Sequence, residues 1–187
     1  LRFLLANTSD FDAQRHAVPV EQMVEIDRYA LALTARMQEE AAGNYARYQF
    51  HLVAQRLQTF CSEELSAFYL GILKDRLYTC GAKSAARRSA QTALWHIAQC
   101  LVRLMAPILS FTAEEVWQVM TTSGDKSIFE EVYHPLPDHG LAPSALEDWA
   151  EIRKVREMAA VTRPGGGAWV VAGLTGGNLA VLEFERD

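Results

Sequence analysis

Apolar side chains recur at the spacing of an α-helix over most of the first 120 residues. Proline breaks helix interiors, and none lies between Val20 and Ala106, so this region permits long helices. The pattern predicts a first long helix over residues 20–48, with Pro19 near its start. At about 1.5 Å per residue, such a helix would be ~40 Å long.

Two further helices are predicted within the proline-free region. The second ends near Gly81, because glycine favours helix termination. Within it, Ser62 followed by two glutamates predicts an N-cap at which a new helix begins. Its apolar face consists of Leu57, Cys61, Leu65, Phe68 and Ile72. The third helix begins near Ser84 and ends at Pro107. Its apolar face consists of Ala90, Leu94, Ile97, Leu101 and Leu104.

Capping boxes predict where two later helices begin. In such a box a Ser or Thr precedes a Glu or Gln by three residues, and each side chain bonds the other's backbone N–H. Thr112 with Glu115 predicts the start of a fourth helix, and Ser144 with Glu147 predicts the start of a fifth. The glycines and prolines of residues 123–143 predict an irregular connection between them.

The end of the chain has a different composition. Six of the eleven glycines lie between positions 165 and 177. The runs 168–172 and 178–185 predict two short strands of a hairpin. The run Pro164-Gly165-Gly166-Gly167 lacks the preceding strand, the following helix and the lysine of a phosphate-binding loop, so it predicts a linker.

These elements predict a mostly α protein, an up-down bundle of four to five helices with a short β-like appendage at the C-terminal end. Composition divides the chain into a helical domain over 1–157 and a Gly-rich tail over 158–187. Half of the 187 residues are hydrophobic and 22% are charged, which supports a real core and excludes wholesale disorder.

The overall charge and the cysteines exclude some classes of protein. The formal net charge of -5 excludes a nucleic-acid binder with a wholly basic surface. No apolar run reaches the ~18 residues of a membrane span. The three cysteines, Cys61, Cys80 and Cys100, are odd in number and widely spaced, which predicts reduced thiols in the cytoplasm. The first residue is not methionine, and the opening resembles a cut inside a longer chain.

Charges are segregated along the chain. Residues 74–88 carry five cations and one anion, a net charge of +4, whereas residues 110–151 carry nine carboxylates and one lysine, a net charge of -8. We predict that the first segment, the basic cluster, contacts nucleic acid, with cations neutralising phosphates and a tyrosine stacking on an unpaired base. The candidate residues are Lys74, Arg76, Tyr78, Lys83, Arg87 and Arg88. Two plainer interpretations are a solvated helix end and pairing with the acidic segment.

Patterns for catalysis or metal binding are sparse. His96 and Cys100 lie one helical turn apart, which fits either a Cys–His nucleophile or a partly buried histidine beside a core cysteine. Glu131 and His134 have the Glu-x-x-His spacing of di-iron bundles, but that site needs a second such motif and two more glutamates. We therefore predict no catalytic residue and no metal ligand in this chain, with a bundle enzyme built on either pair as an alternative.

Three strings in the middle of the chain are informative, and the first and the third are specific in combination. They are Lys74-Asp75-Arg76-Leu77-Tyr78, Ala86-Arg87-Arg88-Ser89-Ala90-Gln91-Thr92 and Pro107-Ile108-Leu109-Ser110-Phe111-Thr112-Ala113-Glu114-Glu115. Together they resemble the anticodon-binding region of isoleucyl-tRNA synthetases. Residues 1–7 resemble the segment after the catalytic domain of that family, and residues 27–31 resemble its first long helix. The resemblance covers roughly residues 1–157, and valyl, leucyl and methionyl relatives share the pattern more loosely.

The resemblance implies a helical bundle that docks the anticodon stem-loop of isoleucine tRNA. It also implies a parent class I ligase that uses ATP and magnesium, with the remainder of the synthetase chain as a partner of this domain. The His-Ile-Gly-His and Lys-Met-Ser-Lys-Ser signatures of such a ligase are absent from this sequence. We therefore expect this chain to be inactive alone, to hold no cofactor, and to be a cytoplasmic monomer that binds no membrane.

The resemblance ends near Met158. The family usually continues helically and then enters a small α+β region, often with a cysteine-bound zinc, whereas this chain enters a Gly-rich tail without zinc cysteines. Besides the bundle enzyme mentioned above, two alternative functions remain at this point. One is a helical protein-interaction scaffold, and the other is the anticodon-binding domain of a valyl, leucyl or methionyl relative.

Overall fold

The protein is mostly α-helical, as predicted. The computed structural model describes residues 1–121, 126–161, 169–175 and 178–183, and it describes side chains in 1–121 and 126–156. The chain divides into two compact units, Leu1–Gly140 and Leu141–Asp187. The division at residue 157, which rests on composition, stays a prediction.

Long helices running up and down form the first unit. They are α3 (Glu25–Ala46), the helix from Phe50 to Thr79, and α6 (Ala85–Met105), and each packs on the other two. Two short helices, α1 (Arg2–Asn7) and α2 (Ala13–His16), precede them and pack on α6. The start predicted at residue 20 is wrong, because Val20–Gln22 forms a separate 3₁₀ turn and the backbone is extended at Val24 before α3 begins.

The helix from Phe50 to Thr79 changes its hydrogen-bonding pattern along its length. It consists of α4 (Phe50–Thr59), a π-helical segment (Phe60–Leu70) and α5 (Gly71–Thr79). The start predicted at Ser62 is wrong, since the helix continues through it and the Ser62 hydroxyl donates back to the carbonyl of Gln58.

The π-helical segment also changes which side chains are buried. Cys61 is only half-buried and Ile72 is exposed, although the 3.6-residue period places both on the apolar face. Bonds from residue i to i+5 make wider turns, so side chains leave the face that an α-helix would give them. The buried apolar residues of the segment and of α5 are Phe60, Leu65, Phe68, Tyr69, Leu70, Leu73 and Leu77.

α6 forms the centre of the core, and its predicted apolar face is confirmed. Ala90, Leu94, Ile97, Leu101 and Leu104 are all almost completely buried. Burying each of the larger aliphatic side chains contributes about 1.5–3 kcal/mol. The predicted start is confirmed too, because the hydroxyl of Ser84 accepts a hydrogen bond from the backbone N–H of Arg87.

A second apolar cluster lies where α6 meets α7 (Ser110–Met120). Its buried members are Val102, Ala106, Ala113, Trp117 and Ile128. The capping box predicted at Thr112 is wrong: Leu109 occupies the N-cap and no side chain caps the helix. α7 begins earlier than predicted, because Pro107 and the bend after it already turn the chain into the helix.

Residues 131–140 form an irregular segment laid across the helices, as predicted for this region. The Gln38 side chain donates to the His134 carbonyl (2.9 Å), and the Arg28 Nε donates to the His139 carbonyl (2.8 Å). Both donors project from α3. Because these bonds satisfy backbone carbonyls that no helix or strand pairs, they fix the segment against the bundle.

The described residues of the second unit form a helix and a hairpin. α8 (Pro143–Val161) begins with proline at its first position, so the N-cap predicted at Ser144 is wrong, because Ser144 already lies inside the helix. β1 (Trp169–Thr175) and β2 (Asn178–Glu183) pair antiparallel, which confirms the predicted hairpin. The linker predicted at Pro164-Gly165-Gly166-Gly167 lies outside the described residues.

Candidate nucleic-acid interface

The basic cluster surrounds the turn from α5 to α6, at one end of the first unit. Lys74, Tyr78 and Lys83 are exposed, and 67% of Tyr78 is accessible to solvent. Lys74 and Tyr78 are four residues apart on α5, so their side chains share one face of the helix. Lys83 follows in the turn itself. We call these three residues the exposed trio.

Arg87 holds the turn closed from the side of α6. Its guanidinium pairs with the carboxylate of Asp10 (2.7 Å), and it also donates to the carbonyls of Leu77 and Ala82, both at 3.3 Å. The hydrogen bond from Arg87 lowers the pKa of Asp10, so the pair stays ionised at neutral pH. The interpretation that Arg87 pairs with the acidic segment 110–151 is wrong, because its partner comes from the N-terminal segment.

Arg88 is half-buried beside Arg87. Its guanidinium donates to the side-chain oxygen of Gln91 (2.8 Å) and to the backbone carbonyl of Asp10 (3.3 Å). Neither acceptor carries a formal charge, so Arg88 keeps an uncompensated positive charge in these contacts. The nucleic-acid role of both arginines stays a prediction.

Arg76 points inward from α5 and meets a buried carboxylate. Both terminal nitrogens of its guanidinium donate to Asp27 of α3, at 2.9 and 2.7 Å. Asp27 has no accessible surface, and it also accepts from the hydroxyls of Tyr69 (2.8 Å) and Ser89 (2.5 Å). We call these four residues the Asp27 cluster. It joins α3, the π-helical segment, α5 and α6 just behind the exposed trio.

The charges of this cluster are mutually supporting. Although burial opposes the charge on Arg76, the hydrogen bond from its guanidinium to Asp27 raises the pKa of Arg76. Burial, and then the charge of Asp27, raises the pKa of Tyr69, so this phenol stays a donor. The guanidinium charge of Arg76 is therefore balanced within the fold, and the predicted phosphate contact of Arg76 stays a prediction.

One cation near this end of the bundle was not predicted. Arg15 projects from α2, which packs on α6, and 82% of its side chain is accessible. Its only described ion pair is a 3.4 Å contact with Asp12, the residue that caps α2. Exposed pairs of this kind contribute little, so Arg15 is available to a bound anion. A four-residue helix is too short for periodicity to reveal it, and only the Asp12 cap marks its start.

The two histidines considered from sequence contact each other rather than their predicted partners Cys100 and Glu131. His96 does not pair with Cys100: its Nδ1 lies 2.8 Å from Nε2 of His134. Burial lowers the pKa of His96 to about 4, and burial together with the charge of a protonated His96 lowers the pKa of His134 to about 3. Both rings are therefore neutral at pH 7. Glu131 pairs instead with Arg103 of α6 (2.8 Å).

Cys100 has the environment of a core thiol. It is fully buried, and its sulfur donates to the side-chain oxygen of Gln38 (3.1 Å). Burial raises the pKa of the Cys100 thiol to about 12, which disfavours the thiolate that a nucleophile requires. The Cys–His arrangement and the Glu131–His134 pair are thus accounted for by packing and ion pairing.

A thiol titration tests this assignment of Cys100. We expect an aromatic disulfide reagent at pH 8 to modify no Cys100 in the folded protein, because its thiol is buried and protonated. Mass spectrometry of tryptic peptides would identify the modified cysteines, and the half-buried Cys61 and Cys80 serve as internal controls. Rapid labelling of Cys100 under native conditions would restore the nucleophile hypothesis.

The described residues also bear on metal binding and on membrane insertion. In this part of the chain, no three His, Cys, Asp or Glu side chains converge so as to hold a metal ion. None of the described helices combines the length and the apolar character needed to cross a membrane.

Comparison with known proteins identifies similar sequences. The family model "Anticodon-binding domain of tRNA ligase" matches residues 27–163. The isoleucine–tRNA ligase of Dechloromonas aromatica is 58% identical over 156 residues, which are 83% of this chain and 17% of that protein. The isoleucine–tRNA ligase of Azoarcus sp. strain BH72 is 55% identical over 159 residues, which are 85% of this chain and 17% of that protein. The chain thus spans about one sixth of the length of these relatives.

Proposed function

Because the chain belongs to the family of anticodon-binding domains of tRNA ligases, we propose that it binds the anticodon arm of an isoleucine tRNA. The observation that carries this proposal is the exposed trio on a turn that ion pairs hold rigid. The trio offers two ammonium groups and one aromatic face within a few residues. These are the groups that bind the backbone and the unpaired bases of an RNA loop.

The contacts we propose divide into two kinds. Lys74 and Lys83 neutralise phosphates, which fixes the position of the arm without reading its sequence. Tyr78 stacks on a base that has left the helical stack, which tolerates any base because each has a π-face. Arg88 and Arg15 add positive charge beside the trio. The preference for isoleucine tRNA rests on the names of the two relatives described above, both isoleucine–tRNA ligases.

The chemistry of amino-acid activation belongs, in this proposal, to the remainder of a longer ligase. ATP and magnesium are the reactants that such a ligase uses. The function of this chain is then to position tRNA as a monomeric module in the cytoplasm, in contact with the rest of the ligase chain.

Replacing Lys74 and Lys83 together with alanine tests the proposal. Binding releases fewer counterions for each phosphate contact that is lost. The slope of log Kd against log salt should therefore decrease by about 1–2. The binding free energy should weaken by about 1–3 kcal/mol. Fluorescence anisotropy of a labelled isoleucine anticodon stem-loop, titrated at several salt concentrations, measures both quantities.

The chain provides a matched control with the same loss of charge. Lys126 and Lys154 are the remaining lysines, and both lie in or beyond the acidic segment. Their double alanine variant should leave the slope and the Kd close to those of the parent protein. Equal losses in the two double variants would mean that only net charge matters. Absence of salt-dependent binding by the parent protein would support the scaffold alternative.

A further inference from the structure

We propose that Asp27 is the positioning residue of the tRNA-binding turn, acting through Arg76 on one side and Ser89 on the other. This inference rests on the proposed function and assigns roles to Asp27 and Ser89, which are too buried to touch RNA themselves. Asp27 supplies one carboxylate to two helices, α5 and α6, which enter and leave the turn that carries the exposed trio.

The geometry constrains the entering helix strongly. The guanidinium of Arg76 meets the carboxylate of Asp27 with two parallel bonds of 2.9 and 2.7 Å. Such a paired arrangement fixes direction as well as distance. Arg76 lies two residues after Lys74 and two before Tyr78, so the orientation of α5 at this point sets where both exposed side chains stand.

Ser89 constrains the departing helix in the same way. Its hydroxyl donates to Asp27 (2.5 Å) and accepts the backbone N–H of Val24 (2.9 Å), the residue before α3. Ser89 is 1% exposed and lies in the second turn of α6, close to the N-cap Ser84. The start of α6 therefore cannot shift relative to α3 without breaking a buried bond.

The burial of Asp27 makes this arrangement all-or-none. A buried carboxylate that loses a donor is left with an unsatisfied charge, which proteins strongly disfavour. The carboxylate accepts four hydrogen bonds from Tyr69, Arg76 and Ser89, so all of its acceptor capacity is in use. The two helices are thereby held to one relative position, with Lys83 between them.

A purely stabilising role for the cluster predicts something different. In that case, variants of Asp27 partners would lower the melting temperature without altering tRNA affinity in protein that remains folded. A positioning role predicts weaker binding even in folded protein, because misplaced contacts lose their geometry.

Ser89→Ala separates the two roles, because Ser89 is neutral and too buried to touch RNA. We expect the Kd for the isoleucine anticodon stem-loop to rise about three- to tenfold at a temperature where the variant is fully folded. The slope of log Kd against log salt should decrease with it, since displaced lysines neutralise fewer phosphates. The matched control is Thr34→Val. This change also removes a fully buried hydroxyl, but one that lies on α3 and donates to the carbonyl of Ala30 in the same helix.

Arg76→Lys gives a second, independent variant. It keeps the positive charge but replaces the paired fork by a single ammonium group. Its matched control is Arg56→Lys, which alters a comparably buried arginine paired with the buried Glu64. Arg56 lies in α4, on the other side of the π-helical segment from Arg76. We expect Arg76→Lys to raise the Kd about tenfold and Arg56→Lys to leave it unchanged.

The outcomes distinguish this inference from the proposed function. If Ser89→Ala and Arg76→Lys bind like the parent protein while the Lys74/Lys83 variant does not, Asp27 is only a stabilising residue. If each variant and its control weaken binding equally, general destabilisation explains the effect and the inference is wrong. If the parent protein binds no tRNA, both the inference and the proposed function are overturned.

Discussion

Asp27→Ala is expected to lower the free energy of unfolding by about 3–5 kcal/mol, because it leaves the guanidinium of Arg76 buried without a counter-charge. The hydroxyls of Tyr69 and Ser89 lose their acceptor in the same step. Domains of this size are stable by only about 5–15 kcal/mol, so the variant should be partly unfolded at 37 °C. Urea denaturation followed by circular dichroism at 222 nm measures the loss.

A double variant controls for the interpretation of that loss. Replacing Asp27 with leucine and Arg76 with methionine together removes both charges and keeps apolar volume. It should recover much of the stability that Asp27→Ala loses, since a buried ion pair replaced as a whole often costs little. A loss below about 1 kcal/mol in Asp27→Ala would contradict the assignment of a buried, ionised carboxylate at this position.

The second large effect is expected in acid. The pKa of His96 is lowered to about 4 and that of His134 to about 3, both below the value of about 6.5 in an unfolded chain. Between pH 6.5 and 4 the unfolded chain therefore binds protons that the folded chain does not. The free energy of unfolding is then complete above pH 6.5 and falls as the pH drops through that window. The pKa shift of His96 alone corresponds to about 3 kcal/mol.

Urea denaturation at half-unit steps from pH 7 to pH 5 measures this effect before most carboxylates begin to titrate. The hydrogen bond between the two rings requires one unprotonated nitrogen as acceptor, so protonation of both rings also removes this link between residues 131–140 and α6. A His96→Leu, His134→Leu double variant should lose most of the pH dependence, whereas His51→Gln, which alters an exposed histidine of α4, should retain it. The same slope in all three proteins would assign the acid sensitivity to other groups.

Sequence periodicity predicts α6 well, because this helix obeys local rules throughout. Ser84 caps it, five apolar side chains repeat at 3–4-residue spacing, and Pro107 follows its end. The location of the basic cluster at the turn before α6 follows from the same boundaries. Periodicity does not predict the environment of each cation. The exposure of Lys74 and the burial of Arg76 depend on the helices packed around them.

The features that sequence does not reveal depend on distant partners. Asp27 is a carboxylate in the first turn of a helix, which is an ordinary place for an exposed acid, and its burial follows from residues 42–62 positions away. His96 and His134 are 38 residues apart, and each belongs to a different local pattern that suggests a different partner. In both cases, the interaction exists only after the helices have packed.

The π-helical segment Phe60–Leu70 affects how the chain can tolerate changes in length. A wide turn holds one residue more than an α-turn, so an insertion or deletion of one residue there can be absorbed without rotating the flanking helices. α4 and α5 are also anchored separately to α3, by Arg56 to Glu40 and by Arg76 to Asp27. The same change inside α6 would rotate every later side chain by about 100° and take the core out of register. Single-residue gaps between homologous chains are therefore expected in the former segment and not in the latter.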